Sequence, residues 1–196
     1  MKGSLIIIAF FVLGIVVGLQ SSTFNFQFST FILYALMFCV GISIGSDTKT
    51  LKSFRSVNPR LMMLPVMTIF GTLAGTAAAS ALLPHRHLFD CLAIGSGFGY
   101  YSLSSIFITE YKGAELGTIA LLANIMREII TLLCAPLLVK FFGKLAPISM
   151  GGATTMDTTL PIITRTSGQD FIIVSIFHGF CVDFSVPFLV TFFCSL

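Results

Sequence analysis

The sequence predicts an all-α polytopic membrane protein, and three observations support this prediction. Of the 196 residues, 56% are hydrophobic and only 10% are charged, whereas a soluble domain carries about 25% charged residues. The mean hydropathy is +0.99. The apolar residues also fall into runs close to the roughly 20 residues that a membrane-spanning helix needs. These properties exclude soluble enzymes, nucleic-acid-binding domains and disordered tails.

Seven apolar segments are predicted within a single domain that covers residues 1–196. The segments without any charged residue are Ser4–Gln20, Thr30–Gly45 and Leu61–Leu83. Glycine clusters, proline or ionisable residues interrupt the other four, which are Leu88–Thr109, Glu115–Phe142, Ala146–Thr164 and Phe171–Phe193. We therefore expect two plain spans within residues 4–45 and a substrate pathway within residues 61–196.

The basic loop at residues 46–60 predicts the orientation of the chain. It carries four basic residues against the single acid Asp47, and the positive-inside rule assigns such a loop to the cytoplasm. If all seven segments cross, the N-terminus is cytoplasmic and the C-terminus lies outside. Lys140 and Lys144 would then lie outside as well, against the rule, so we expect one interrupted segment to be re-entrant.

Four charged residues lie deep inside the predicted segments: Arg127, Glu128, Asp157 and Asp183. An ionised group at the bilayer centre costs at least about 2.5–3.5 kcal/mol, so such residues face a partner or a watery cavity. Three acids against one base suit a cation or an exchangeable proton. The alternative is a set of structural ion pairs or protonated carboxyls.

The motif Asn124-Ile-Met-Arg127-Glu128 lies near the middle of a long segment. Its i, i+4 spacing puts Asn124 and Glu128 on one helix face. Adjacent residues point about 100° apart on a helix, so Arg127 does not simply neutralise Glu128. We expect Arg127 to pair with Asp157 instead.

One predicted break is the segment MGGATTMDTTLP at residues 150–161, which combines two glycines, four threonines and a proline. We expect Thr154, Thr155 or Asp157 to cap a new half-helix there, with Pro161 in its first turn. Its hinge residues are predicted to be Gly151, Gly152 and Pro161.

A second predicted break is GSGFGYYSLSS at residues 95–105, with the hinges Gly95, Gly97 and Gly99 and the hydroxyls of Ser102 and Ser104. Broken helices within a membrane expose N–H groups and a positive dipole end to an anionic group, as in many secondary transporters. The alternative is that both breaks are tight packing sites in a structural bundle.

Other chemistry is not predicted. The five cysteines sit singly in apolar runs, without the spacing of a metal site, so we expect neither metal nor cofactor. Ser96 lacks the GxSxG elbow of a hydrolase, so no enzyme activity is expected. His178 lies near Asp183 in the sequence, where it would either relay protons or satisfy a carbonyl group.

These motifs together resemble the LysO-type lysine exporter family. The likeness runs from about Leu5 to the C-terminus and also includes Thr109-Glu110, GAELG at residues 113–117 and His178-Gly179-Phe180. The resemblance implies export of L-lysine and analogues such as thialysine across a bacterial inner membrane. It also implies distant kinship with transporters built from inverted repeats with broken helices.

The resemblance matches Asn124, Arg127, Glu128, Asp157 and His178 to the family's motifs. Asp183 departs from them, because an apolar residue is expected there. Family members also usually carry a further N-terminal part. We therefore expect either a small separate membrane subunit that supplies those spans or self-association of this chain.

The combined prediction is a secondary transporter that exports lysine in exchange for protons. Asp157 or Glu128 would hold either a proton or the ammonium group of lysine, and this exclusive occupancy would couple the two fluxes. The half-helix N-terminus at residues 154–160, together with Arg127, would take the substrate carboxylate. The alternatives are a cation channel, another cation:proton antiporter, or a membrane scaffold subunit that does not transport.

Overall fold

The structure is a computed structural model, and it describes residues 59–83 and 86–196, together with a few isolated positions nearer the N-terminus. The predicted spans Ser4–Gln20 and Thr30–Gly45, and nearly all of the basic loop before Pro59, lie outside the described residues. All the elements below belong to the compact unit Lys49–Leu196.

Helices make up almost all of the described residues. No strand occurs among these residues, which confirms the all-α prediction. In chain order they are α1 (Pro59–Met62), α2 (Leu64–Ser80), α3 (Leu88–Gly95), α4 (Tyr101–Lys112), α5 (Ala114–Phe142), α6 (Ala146–Gly151), α7 (Leu160–Ser167) and α8 (Ile172–Cys194). Short 3-10 turns at Gly152–Met156 and Gln169–Phe171 separate α6, α7 and α8.

Three stretches are long and apolar enough to cross a membrane: Arg60–Ser80, Ala114–Phe142 and Gln169–Cys194. They contain α2, α5 and α8. Large apolar side chains such as Phe70, Leu133 and Phe188 are exposed on them. A soluble monomer rarely exposes so large an apolar surface, whereas lipid solvates it, so these helices belong to a membrane protein.

Helices α3 and α4 form a hairpin, and we call residues 86–115 hairpin 1. Lys112 Nζ lies 3.4 Å from Asp90 Oδ1, and Arg86 forms a second ion pair with Glu115. The hydrogen bond from Arg86 to Glu115 raises the pKa of Arg86, which keeps its guanidinium charged. Because these pairs join the start of α3 to the end of α4, the segment enters and returns at one end of α5.

Helices α6 and α7 form a second hairpin, and we call residues 144–171 hairpin 2. Its open end is closed by Lys144 Nζ, which lies 5.8 Å from the centroid of the Phe171 ring. Ile148 of α6 and Ile163 of α7 are fully buried in one apolar cluster. The start and the end of this segment therefore also lie together.

The sequence predicted seven crossing segments or one re-entrant segment among them, whereas the structure folds back two of the four interrupted segments, Leu88–Thr109 and Ala146–Thr164. Hydropathy missed this because a helix that crosses and a hairpin that returns contain equally apolar residues. The reversal also removes the conflict with the positive-inside rule. Leu61, at the start of the first long helix, packs on the same cluster as Leu145, so Lys144 lies at the end of the unit that adjoins the basic loop.

We call the turns between the helices of the two hairpins tip 1 (residues 94–100) and tip 2 (residues 149–159), and these two tips touch each other. The N–H of Ala153 in tip 2 donates to the carbonyl of Phe98 in tip 1 at 2.9 Å. Gly152 has a φ of +64°, and a Cβ at that position would overlap the Phe98 carbonyl. A Cβ at Gly99 would lie 3.2 Å from the carbonyl oxygen of Gly151. The predicted breaks are therefore the places where two backbones make direct contact.

Candidate functional site

A cavity of about 190 Å³ lies beside the touching tips, many times the volume that one water molecule requires. Carboxyl groups from three separate elements line it: Glu128 from α5, Asp157 from tip 2 and Asp183 from α8. Asp183 is 8% exposed, whereas Asp157 is exposed and accepts a 2.5 Å hydrogen bond from the N–H of Thr158. Asp183 is thus the more deeply buried of these two acids.

Two half-helices begin at this cavity. Tyr101 and Ser102 at the start of α4 line it, and so do the residues that lead into α7. The first N–H groups of a helix have no partner within the helix and carry partial positive charge. The cavity therefore combines three carboxyl groups with two ends that attract an anionic group.

Helix α7 begins later than predicted. Pro161 does lie in its first turn, but the N-cap residue is Thr159 and not Thr154, Thr155 or Asp157. The reason is the intervening 3-10 turn, in which the hydroxyls of Thr154 and Thr155 donate to the carbonyls of Gly151 and Gly152 at 2.9 Å and 2.8 Å. Thr154 lines the cavity, whereas Thr155 is buried behind it.

Asn124 in the middle of α5 holds tip 1 rather than lining the cavity. Its side-chain oxygen accepts from the N–H of Gly99 at 2.8 Å, and its amide nitrogen donates to the carbonyl of Ile94 at 3.3 Å. A Cβ at Gly97 would lie 2.5 Å from this amide nitrogen. Ser104 is also structural, because its hydroxyl donates to the carbonyl of Tyr100 at 2.8 Å.

Arg127 holds tip 2, and the predicted pair with Asp157 is wrong. Its Nε donates to the carbonyl of Met150 at 2.8 Å, and its Nη2 donates to the carbonyl of Ser149 at 3.0 Å. Helix α6 ends at these residues, so its last carbonyls carry partial negative charge and lack helical partners. The sequence did not reveal this partner because it did not show where α6 ends.

Arg127 also lies on a different surface from the three acids. It lines an open groove of about 540 Å³ together with Thr68, Thr72 and Ser149, whereas Glu128 lines the cavity. Its Nη1 donates to the hydroxyl of Thr72 at 3.4 Å. Adjacent positions on α5 therefore serve two separate surfaces.

His178 is fully buried and hydrogen-bonded to hydroxyl groups. Its Nε2 lies 2.9 Å from the hydroxyl oxygen of Thr68, and its Nδ1 lies 3.3 Å from that of Thr155. Asp183 lies five residues further along α8, which places it about 140° around the helix. The structure therefore does not bring together His178 and Asp183, which the sequence suggested as a possible proton relay.

Sequence reasoning overlooked the cavity's aromatic residues. Tyr100 and Tyr101 both line it, and Tyr100 lies within electrostatic reach of Asp157 and Asp183. The signal was the pair of tyrosines inside the glycine-rich break, since an aromatic ring is able to contact an ammonium group. Within residues 59–83 and 86–196, no group of histidine, cysteine or acidic side chains is arranged to hold a metal ion.

Three long apolar helices, two opposed hairpins and a polar cavity at their tips define a polytopic membrane protein of the broken-helix type. The family model described as lysine exporter LysO matches residues 8–194. The chain therefore belongs to the LysO lysine exporter family, which is a family of transporters and not of enzymes.

Two relatives extend this comparison. The chain is 35% identical over 185 residues to the lysine exporter LysO of Escherichia coli K12, and the matched region covers 93% of this chain and 61% of that protein. It is 34% identical over 165 residues to a putative lysine exporter of Haemophilus influenzae Rd, and this match covers 84% of this chain and 83% of that protein. No solved structure matches the chain.

Proposed function

We propose that this chain exports L-lysine, and close analogues such as thialysine, across a bacterial inner membrane in exchange for protons. Family membership and the names of both relatives support lysine as the substrate. The observation that carries the proposal is the cavity lined by Glu128, Asp157 and Asp183 at the start of two half-helices.

The groups in the cavity complement those of lysine. Lysine carries two ammonium groups and one carboxylate, and the cavity offers three carboxyl groups and two positive helix ends. The substrate carboxylate would meet the N–H groups at the starts of α4 and α7, beside the exposed Ser102 and Thr158. Arg127 is not needed for this contact because it already donates to Ser149 and Met150.

Coupling follows from competition for the same acids. Glu128 and Asp157 lie where a carboxylate would hold either an ammonium group or a proton, and one occupant excludes the other. If the cavity opens to each side in turn, lysine leaves from one side and a proton enters from the other. Each exchange then moves the two cations in opposite directions.

The hairpins also support an orientation. With the basic loop in the cytoplasm, the two crossings by α2 and α5 put Lys140 and Lys144 on the cytoplasmic side, as the positive-inside rule requires. Hairpin 1 then enters from outside and hairpin 2 from the cytoplasm. The N-terminus is cytoplasmic and the C-terminus lies outside.

A partner remains part of the proposal. A small membrane subunit, or a second copy of the chain, would screen the intramembrane acids from lipid. Lysine efflux from cells that express the chain alone, and together with a candidate subunit, tests this. Full transport by the chain purified alone, as a monomer in liposomes, would contradict the need for a partner.

The export proposal is tested with labelled lysine in liposomes that contain the purified protein. We expect efflux from the wild type, at least about a tenfold loss in Asp157→Asn, and normal efflux in the control Asp170→Asn, whose exposed carboxyl lies outside the cavity. A wild type that moves no lysine would refute the export proposal. Normal export by Asp157→Asn would refute the site.

Imposed ion gradients test the coupling. An inward proton gradient should drive lysine out of the vesicles without sodium. Efflux that ignores pH and follows sodium would contradict proton exchange. Movement of rubidium instead of lysine would favour a cation channel, and no movement of either would favour a scaffold.

A further inference from the structure

Asp183 lies in the cavity wall, and its carboxyl group faces the cavity without a protein partner among the described residues. Only 8% of the residue is exposed, and its exposed part lines the cavity. Among the described residues, no hydrogen bond or ion pair involves this carboxyl group. A carboxylate that is largely removed from water is unfavourable unless it is paired, so this position of the cavity suits a cationic ligand.

The surroundings of Asp183 supply more negative charge rather than a counter-ion. Asp157 lies close enough to act on it electrostatically, and Tyr100 lies within reach of both acids. Arg127, the basic residue next to Glu128 on α5, lines the groove and donates to the carbonyls of α6. No basic side chain is among the described residues that line the cavity, so a cation that pairs with Asp183 would enter from the cavity.

The depth of the acids suggests how a substrate is oriented. The starts of α4 and α7 and the exposed Asp157 form the accessible part of the cavity, which suits the α-carboxylate and α-ammonium groups that every amino acid carries. Asp183 is more buried. Only a substrate with a second ammonium group on its side chain would place that group at Asp183 while its α-ammonium group stays in the accessible part of the cavity.

We propose that Asp183 binds the side-chain ammonium group of the substrate and thereby selects dibasic over monobasic amino acids. This inference rests on the proposed export of lysine. A site built to bind a charged group rejects an analogue that lacks it, because the buried partner is left unpaired. Norleucine, which has a hydrogen atom in place of the side-chain ammonium group of lysine, should therefore be excluded by the wild type.

Asp183→Asn keeps the shape of the side chain and removes its charge. In liposomes loaded with either amino acid, we expect this variant to raise the KM for lysine about tenfold or more. The preference for lysine over norleucine should fall by a similar factor. Asp183→Glu should retain most of the preference, and Asp170→Asn should leave both values unchanged.

The outcomes separate the two proposals. Wild-type export with an equally selective Asp183→Asn overturns the role of Asp183 and leaves lysine export standing. A variant that alters only the pH dependence of export, with unchanged selectivity, also overturns it, because Asp183 would then carry the proton. A wild type that moves no lysine overturns both proposals. If the asparagine variant does not reach the membrane, the smaller neutral Asp183→Ser provides the same comparison.

Discussion

The two hairpins are closed at their open ends by different forces, yet both tips are tied to the middle of α5. Ion pairs such as Lys112–Asp90 close hairpin 1, whereas an apolar cluster around Ile148 and Ile163 closes hairpin 2. At the tips, Asn124 and Arg127 satisfy backbone groups directly. The open ends need only to be held together, whereas the tips need specific hydrogen bonds.

The tips also explain why α5 uses two different side chains. Tip 1 presents the N–H of Gly99 and the carbonyl of Ile94 to α5, and an amide side chain is both acceptor and donor. Tip 2 presents the carbonyls of Ser149 and Met150 to α5, and arginine is a donor with no acceptor. In the Asn-x-x-Arg-Glu motif, Asn124 therefore holds tip 1, Arg127 holds tip 2 and Glu128 lines the cavity.

The contact between the tips should be the most sensitive position. Gly152→Ala adds a Cβ at a φ of +64° and against the Phe98 carbonyl, so we expect a loss of roughly 4 kcal/mol in unfolding free energy. Thermal unfolding in detergent measures it. Gly143→Ala is the control, since Gly143 has a φ of +89° but no atom near its Cβ position. Equal losses in both variants would mean that the tip contact contributes nothing.

The closure of hairpin 2 should depend on its apolar cluster. Ile163 is fully buried there, so Ile163→Ala should lower the unfolding free energy by about 3 kcal/mol through lost burial and a cavity. Ile173→Ala, at an exposed position on α8, is the matched control and should have much less effect. Similar losses at both positions would argue against closure by the cluster.

The next largest loss in unfolding free energy should follow from removing Arg127, which caps the end of α6. Arg127→Gln removes the charge-assisted hydrogen bonds to Ser149 and Met150, so we expect a loss of about 2 kcal/mol in unfolding free energy. Arg165→Gln, at an exposed position on α7, should leave the unfolding temperature nearly unchanged. If Arg127→Gln unfolds at the wild-type temperature, the arginine does not hold tip 2.

The smallest effect should follow from opening the ion pair of hairpin 1. Lys112→Met removes the contact to Asp90, and an ion pair near the surface contributes less than about 1 kcal/mol. We expect this variant to change the unfolding temperature only slightly, and the difference from the wild type should become smaller still in high salt. A loss as large as that of Ile163→Ala would mean that the two open ends are held equally tightly.

The features that could be predicted from the sequence are those that depend on local residue types. Glycine and proline mark breaks wherever they occur, so Gly99, Gly152 and Pro161 predicted both interruptions correctly. The reversal of each hairpin depends on contacts between distant residues, such as Lys144 with Phe171, and left no local signal. The partner of Arg127 was missed for the same reason, because backbone carbonyls are present at every residue and become available only where a helix ends.

Two substitutions in adjacent residues test the central claim, which is that α5 separates support from transport at Arg127 and Glu128. Lysine efflux and the unfolding temperature are measured side by side for Glu128→Gln and Arg127→Gln. We predict that Glu128→Gln abolishes efflux while it unfolds near the wild-type temperature, and that Arg127→Gln unfolds at a lower temperature. Normal lysine efflux from Glu128→Gln would contradict the account.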